Sequence, residues 1–371
     1  MTFLALIVKN LFRQRTRTAL TVLGISVGIT TVVALGVIVG GLKATTSQIL
    51  RAYNSGFIVA RHGAADLSLS TVTEQEADAL ARRPDVDHTI RALFEITQMG
   101  DNPFFATMGV RAEDLALAPP KLIDGRLLSP GATDEILLGD GGASNLHAAV
   151  GDTVEIQKRS FRVVGIYHTG NTYQDSGAMA PLRALQEASA KPNTVTGVYV
   201  VVKPGLDPVQ VAQSIRDDSP LLTTVADISE ISRVDQGIVI MDALELAITA
   251  LAVGIGAIGV MNTMVMSVFE RTREIGILRA VGWRGSRIMR MIVGESLILC
   301  LVATVVGSAL GVLASRSVLL IPAVRSVLDP QYTVDIFVRA LVVAIAVALV
   351  GAAYPAMRAV RLEPMEALRH E

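Results

Sequence analysis

Four long apolar runs limit this chain to very few folds. The first, TALTVLGISVGITTVVALGVIVGGL at residues 18–42, contains no charged residue, and further runs occupy 237–269, 291–315 and 337–357. About 20 helical residues cross a hydrocarbon core of about 30 Å, so each run is long enough to span a membrane. The composition agrees: 51% of residues are hydrophobic and only 18% charged, with a mean hydropathy of +0.49. The second run begins before it needs to, and its early Asp242 and Glu245 are expected at or above the outer interface.

Basic residues predict the orientation. Lys9, Arg13, Arg15 and Arg17 precede the first run, Arg271 to Arg290 separate the second and third, and Arg358, Arg361 and Arg369 follow the fourth. The positive-inside rule places all three groups in the cytoplasm, with both termini on that side. Residues 1–17 alternate apolar and basic positions, the pattern of an interfacial amphipathic helix. Residues 358–371 form a cytoplasmic tail and 316–336 a short outer loop. The predicted localisation is a cell inner or plasma membrane.

The long stretch 43–236 then lies outside the cytoplasm and reads as a folded α+β domain of two lobes. Around TVEIQKRSFRVVGIY (153–167), apolar alternation at Val154, Ile156, Phe161 and Val163 predicts a hairpin turning at Lys158–Arg159. Thr73 and Glu76 stand at capping-box spacing before a short helix. Asp207 followed by Pro208 marks the start of another. TGNTYQDSGAMA (169–180) reads as a polar loop. The expected architecture is an α-helical membrane protein with four transmembrane helices and an α+β extracytoplasmic domain inserted between the first and second. Lys43–Ile49 and Ile228–Gly237 lack proline, and glycine occurs in them only at Gly237, so each is expected to extend its span as a stiff helix.

Several functional classes are excluded or left without support. A net charge of −1 offers no surplus for binding nucleic acid. The single cysteine, Cys300, permits no disulfide framework. The sequence contains no HExxH and no GxxxxGK[ST], so no catalytic, cofactor-binding or metal residue is assigned. GIGAIG (254–259) matches a dinucleotide fingerprint formally, but lies inside a span, where glycines serve close helix contact. The same spacing recurs at Gly24/Gly28, Gly36/Gly40 and Gly307/Gly311. Gly254, Gly256 and Gly259 join that set, and Asn262 could hydrogen-bond across helices.

The segment FERTREIGILRAVGWRGSRIMR (269–290) carries the most specific signal. On a helix, Glu270, Glu274, Ile277 and Val281 share one stripe, while Arg271, Arg273 and Arg279 point elsewhere. An apolar stripe in the cytoplasm has no lipid to meet, which predicts a helix that docks into another protein.

These residues resemble a known family. MNTMVMSVFERTREIGILRAVGWRGSRIMRMIVGESLIL (261–299) resembles the signature of MacB-like and FtsX-like ABC transporter permeases, and AAYPAMRAVRLEPMEALRHE (352–371) resembles their closing motif. ILLGDGGASNLHAAVGDTVEIQKRSFRVVGIY (136–167) is similar to the MacB-type periplasmic core. The resemblance implies a permease paired with a second copy, as a homodimer or a related heterodimer. It also implies a separate cytoplasmic ABC ATPase that binds ATP and Mg. That ATPase would dock on a coupling segment comprising Glu270, Arg271, Arg273, Glu274, Ile275, Gly276, Ile277, Arg279, Ala280, Val281 and Gly282. The chain itself is then not an enzyme. Its expected work is export or extraction of a hydrophobic or amphipathic substrate by movement of the outer domain, in contact with membrane lipid and an extracytoplasmic adaptor. The alternatives are a signal relay acting on a cell-wall hydrolase or adaptor without transport, and a membrane-anchored binding module.

Overall fold

The computed structural model describes residues 15–50, 52–64, 67–99, 102–226, 230, 236–326 and 328–361. Most of the predicted amphipathic segment 1–17, most of 228–235 and the closing residues 362–371 lie outside them. The chain forms two compact units. Of the described residues, one unit is helical and combines those up to Ile38, Ala243–Ser317 and those from Tyr332 to Arg361; the other is α/β and lies within Val39–Asp242 and Val318–Gln331.

Among the described residues, four helices are long and apolar enough to cross a membrane: Thr16–Leu50, Gly237–Glu270, Gly285–Val318 and Val334–Arg361. The first is unbroken to Leu50, so Lys43–Ile49 is helical as expected. Within the helical unit, glycine allows the closest contacts. A Cβ on Gly307 would stand 2.7 Å from Ile29 Cβ, and one on Gly311 2.7 Å from Val33 Cβ. Here the first and third spans approach nearly backbone to backbone. Two hydroxyls fasten the same contact: Ser26 Oγ donates to the Ala303 carbonyl at 3.1 Å and Thr30 Oγ1 to the Gly307 carbonyl at 3.1 Å. Ser296 Oγ donates to the Ala348 carbonyl at 3.2 Å, tying the third span to the fourth. The second span is the outlier. Only 6% of its apolar window is buried, against 44%, 33% and 44% for the other three, so most of its surface faces away from the chain.

The described residues of the α/β unit form twelve strands: β1 (Phe57–Arg61), β2 (Val72–Thr73), β3 (Val86–Met99), β4 (Asn102–Val110), β5 (Lys121–Gly125), β6 (Glu135–Gly139), β7 (Thr153–Ile156), β8 (Arg159–His168), β9 (Ala178–Pro181), β10 (Thr194–Val195), β11 (Gly197–Val202) and β12 (Leu222–Val225). Ten join in one sheet of order β12-β1-β11-β3-β4-β9-β6-β8-β5, with β7 on β8; β2 and β10 pair separately. The two expected lobes are therefore one sheet. The reason is β3, which pairs with β11 through Val86–Ala92 and with β4 through Leu93–Met99. Alternation sends Ile58 and Ala60 to one face and Phe57 and Val59 to the other. On the first face the core is continuous from Ile58 through Ile90 and Met108 to Leu137 and Val164. The second face holds two separate clusters, one around Val198 and Ile215 and the other around Phe105 and Phe161.

Local signals in this unit hold with two corrections. Thr73 and Glu76 form the reciprocal capping box, and Asp207 caps the helix Pro208–Asp218 with Pro208 in its first turn. Arg61 grips the Glu76 carboxylate with both terminal nitrogens, at 2.9 and 2.8 Å, fixing that helix to β1. The hairpin turn falls one residue earlier than expected, at Gln157–Lys158, both in the left-handed region (φ 49° and 65°). Arg159 is instead paired with Ile156 and bonded to the Glu187 carboxylate at 2.7 Å. Residues 169–180 are not a plain loop. Asn171 Oδ1 accepts from the amides of Tyr173 and Gln174 and starts the short helix Thr172–Asp175. Next, β9, all four of whose residues are buried, runs parallel to β4. Asn171 Nδ2 also donates to the Thr45 carbonyl at 3.2 Å and Gln48 Oε1 at 2.9 Å.

The segment between the third and fourth spans belongs with the α/β unit rather than standing free. Ser326 Oγ donates to Asn102 Oδ1 at 3.1 Å. A Cβ on Gly41 would fall 2.4 Å from the Asp329 carbonyl, so this segment lies directly against the backbone at Gly41.

Candidate functional site

The stripe read from the sequence falls on a separate short helix, Thr272–Ala280. The second span ends at Glu270, and Arg271 leaves helical geometry (φ −112°, ψ 17°). Thr272 Oγ1 then donates to the carbonyls of Val268 and Phe269 at 3.1 and 2.9 Å, closing the end of the span as the new helix starts. Gly282 (φ 96°) ends the short helix. Its amide reaches the Arg279 carbonyl at 3.0 Å and that of Trp283 reaches Leu278 at 3.0 Å, the paired bonds of a Schellman motif.

One side of this helix is anchored. Ile275 and Gly276 are buried. Arg271 Nη1 meets Glu295 Oε1 at 2.8 Å, and Arg271 Nε meets Glu274 Oε2 at 3.2 Å. Burial opposes the Arg271 charge, but Glu295 and Glu274 outweigh it and hold the guanidinium pKa above its ordinary value. Arg17 from the first span bonds Glu270 at 3.1 Å, and the Arg358 guanidinium lies 4.3 Å from the Phe269 ring centroid. The other side is open. Ile277 is 47% and Val281 76% exposed; Arg273 and Ala280 are also exposed, and Arg279 half-buried. The acidic members of the stripe are thus engaged by arginines, while its apolar members point outward.

The small residues divide into two groups. Gly28 faces Ala252 Cβ at 3.4 Å, Gly36 faces Ile336 at 3.4 Å and Gly256 faces Val347 at 3.2 Å, all contacts within the chain. At Gly24, Gly254 and Gly259 an added Cβ would meet nothing within 4 Å, and Asn262 is exposed. Gly40 is half-buried.

Glu295 is not singled out by the sequence reading, although a lone acid in an apolar run is a signal in itself. An apolar cavity in the α/β unit also escapes it. The cavity measures about 270 Å³ and is lined by Leu42, Thr45, Ile49, Phe94, Ile96, Phe104, Ile238 and Met241, among others. Among the described residues, Asp140, His168 and Asp175 could together hold a metal ion. His168 Nδ1 lies 3.1 Å from Asp140 Oδ2 and 3.0 Å from Asp175 Oδ2. Asp175 further accepts from Thr169 N, Thr169 Oγ1 and Gly170 N at 2.7–3.0 Å, so hydrogen bonding alone accounts for its position.

Comparison with known proteins accords with this architecture. The family profile of the MacB-like periplasmic core domain matches residues 18–218, and that of the FtsX-like permease C-terminal domain matches 246–364. An uncharacterized ABC transporter permease of Methanocaldococcus jannaschii is 26% identical over 98% of this chain and 96% of its own length. The macrolide export ATP-binding/permease protein MacB of Escherichia coli is 25% identical over 98% of this chain, which spans only 60% of that protein. The crystal structure of the periplasmic region of MacB from Actinobacillus actinomycetemcomitans is similar over 50% of this chain and 96% of its own, at 14% identity and a TM-score of 0.38. With both profiles matched, and an α/β domain inserted in sequence between the first and second of four membrane helices, the chain belongs to the MacB-like and FtsX-like family of ABC transporter permeases.

Proposed function

We propose that this permease works with a separate cytoplasmic ABC ATPase, which binds ATP and Mg and docks on Glu270–Gly282. The supporting observation is the exposed apolar pair Ile277 and Val281, on a helix whose opposite side is fixed to the spans by Arg271 and Glu295. A helix held this way transmits a push instead of yielding to it. In this reading both termini are cytoplasmic, and nucleotide-driven motion reaches the inserted domain on the other side. A second copy of the permease, identical or related, pairs through the largely uncovered second span, with Gly24, Gly254, Gly259 and Asn262 at the contact. The substrate is hydrophobic or amphipathic, and the apolar cavity beside Leu42 and Met241 favours transport over a signal relay.

The docking test is the double variant Ile277→Asp, Val281→Asp. Each apolar side chain buried at a partner surface contributes about 1.5–3 kcal/mol, and a buried carboxylate adds a desolvation cost. ATP hydrolysis that co-purifies with the tagged parent from membranes is expected to vanish from the variant, with membrane insertion unchanged. Equal co-purification of hydrolysis would overturn the assignment.

A further inference from the structure

Beyond the docking helix, Gly282, Trp283, Arg284, Ser286, Arg287 and Arg290 line one open cleft at the start of the third span. The Arg287 guanidinium stacks 4.5 Å from the Trp283 ring centroid, and Arg290 Nε donates to the Ser286 carbonyl at 3.3 Å. Among the described residues, no carboxylate pairs with Arg284, Arg287 or Arg290, whereas Arg17 has one and Arg271 and Arg339 each have two. Three-residue spacing keeps the three arginines on one broad face.

Depth indicates what such a cleft meets. Ile288, Met291 and Ile292 are buried, and the apolar run of the span begins at Met291. At about 1.5 Å per residue, Arg287 and Arg290 stand roughly 6 and 1.5 Å before Met291 along the helix axis. The polar layer on each side of the hydrocarbon core is about 5–8 Å thick, so both guanidinium groups belong to the headgroup region. Tryptophan favours the same layer. A protein docked at Gly282 would have to enter that layer to reach Arg287 and Arg290; a lipid phosphate is already there. Guanidinium groups bind phosphate through paired N–H bonds, and unpaired ones give up no existing ion pair to do so.

We propose that this cleft binds the phosphodiester of an anionic phospholipid headgroup, with Arg284, Arg287 and Arg290 as its cationic wall and Trp283 as its interfacial side.

Trp283 is the only tryptophan in the sequence, so its emission reports on the cleft directly. The full-length chain in neutral detergent would be titrated with dioleoylphosphatidylglycerol, dioleoylphosphatidylcholine and inorganic phosphate. Expected is a saturable change in emission with phosphatidylglycerol alone, half-saturating at least tenfold higher in Arg287→Gln, Arg290→Gln. If that variant aggregates on size exclusion, Arg284→Gln is measured in the same way and a rightward shift is again required. An unshifted midpoint in the variant, or an equal response to phosphatidylcholine, overturns the proposal. So does an equal response to inorganic phosphate, which would make the cleft a site for soluble anions. Loss of co-purifying ATP hydrolysis with an unchanged lipid titration assigns the cleft to a protein partner instead, and this inference fails while the docking reading stands.

Discussion

Arg271 and Glu295 form a largely buried ion pair across 24 positions of sequence, joining the start of the helix Thr272–Ala280 to the interior of the third span. Their side chains are only 13% and 4% exposed. Removing one partner of a fully buried pair costs about 3–5 kcal/mol, an upper figure here because Glu274 still reaches Arg271, whereas replacing both with apolar groups is often neutral. Glu295→Leu is therefore expected to lower the unfolding temperature in detergent sharply, and Arg271→Met, Glu295→Leu to recover most of the loss. The buried thiol of Cys300 supplies the readout, through the temperature at which a thiol-reactive dye gains access. Equal losses in the single and double variants would show that the pair is not the anchor.

The two groups of glycines should separate in one experiment. Gly307→Val drives a side chain into Ile29 and the Ser26 carbonyl, 2.7 and 2.8 Å from the Cβ position, and overpacking of this kind costs about 1–3 kcal/mol. Gly24→Val and Gly259→Val meet open space within the chain and should leave its own unfolding temperature nearly unchanged. If a second copy packs there, the latter two variants instead reduce disulfide cross-linking between cysteines placed in the first two spans. Undiminished cross-linking would move the interface elsewhere.

Low pH should act on the inserted domain partly through Glu135. Hydrogen bonds from the Arg126 guanidinium, with help from the Ser129 amide, lower its pKa from 4.5 to about 2. A depressed carboxylate pKa contributes stability that is complete above the unfolded value and is lost as pH falls through the folded one. Glu135→Gln should thus be less stable than the parent at pH 6, and the gap should close between pH 4.5 and about 2. Circular dichroism melts of the two chains at matched pH values test this, and a gap independent of pH would refute the assignment.

How far the sequence could be read depended on how local each interaction is. The spans, the capping box at Thr73 and Glu76, and the outward stripe of Ile277 and Val281 all follow from spacing within a turn or two of helix. Strand β9 did not, because Ala178–Pro181 has no alternation and becomes a strand only through its pairing with β4. The merging of two lobes into one sheet was hidden for a similar reason: the length of β3 acquires meaning only once β11 and β4 share it. Glycine spacing in the spans announced close approach but not the partner. Gly307 and Gly311 face the first span, while Gly24 at the same spacing from Gly28 faces nothing in the chain. Glu295 likewise acquires its role from an arginine beyond the end of a different helix.

The clasp between the first and third spans also sets an order of events during synthesis. Ser26 and the Ala303 carbonyl it bonds are separated by 277 positions. At about 5–20 residues per second, the ribosome needs roughly 14–55 s to supply the second half of that contact. Throughout that interval the first helix sits in the bilayer with its partner groove empty. Its hydroxyls can meanwhile turn back onto their own helix, as Thr21 and Thr31 do in the finished fold. The nascent chain thus carries a half-built helix pair past the folding of an entire α/β domain. Premature association of first spans from neighbouring ribosomes is the hazard this gene architecture has to avoid.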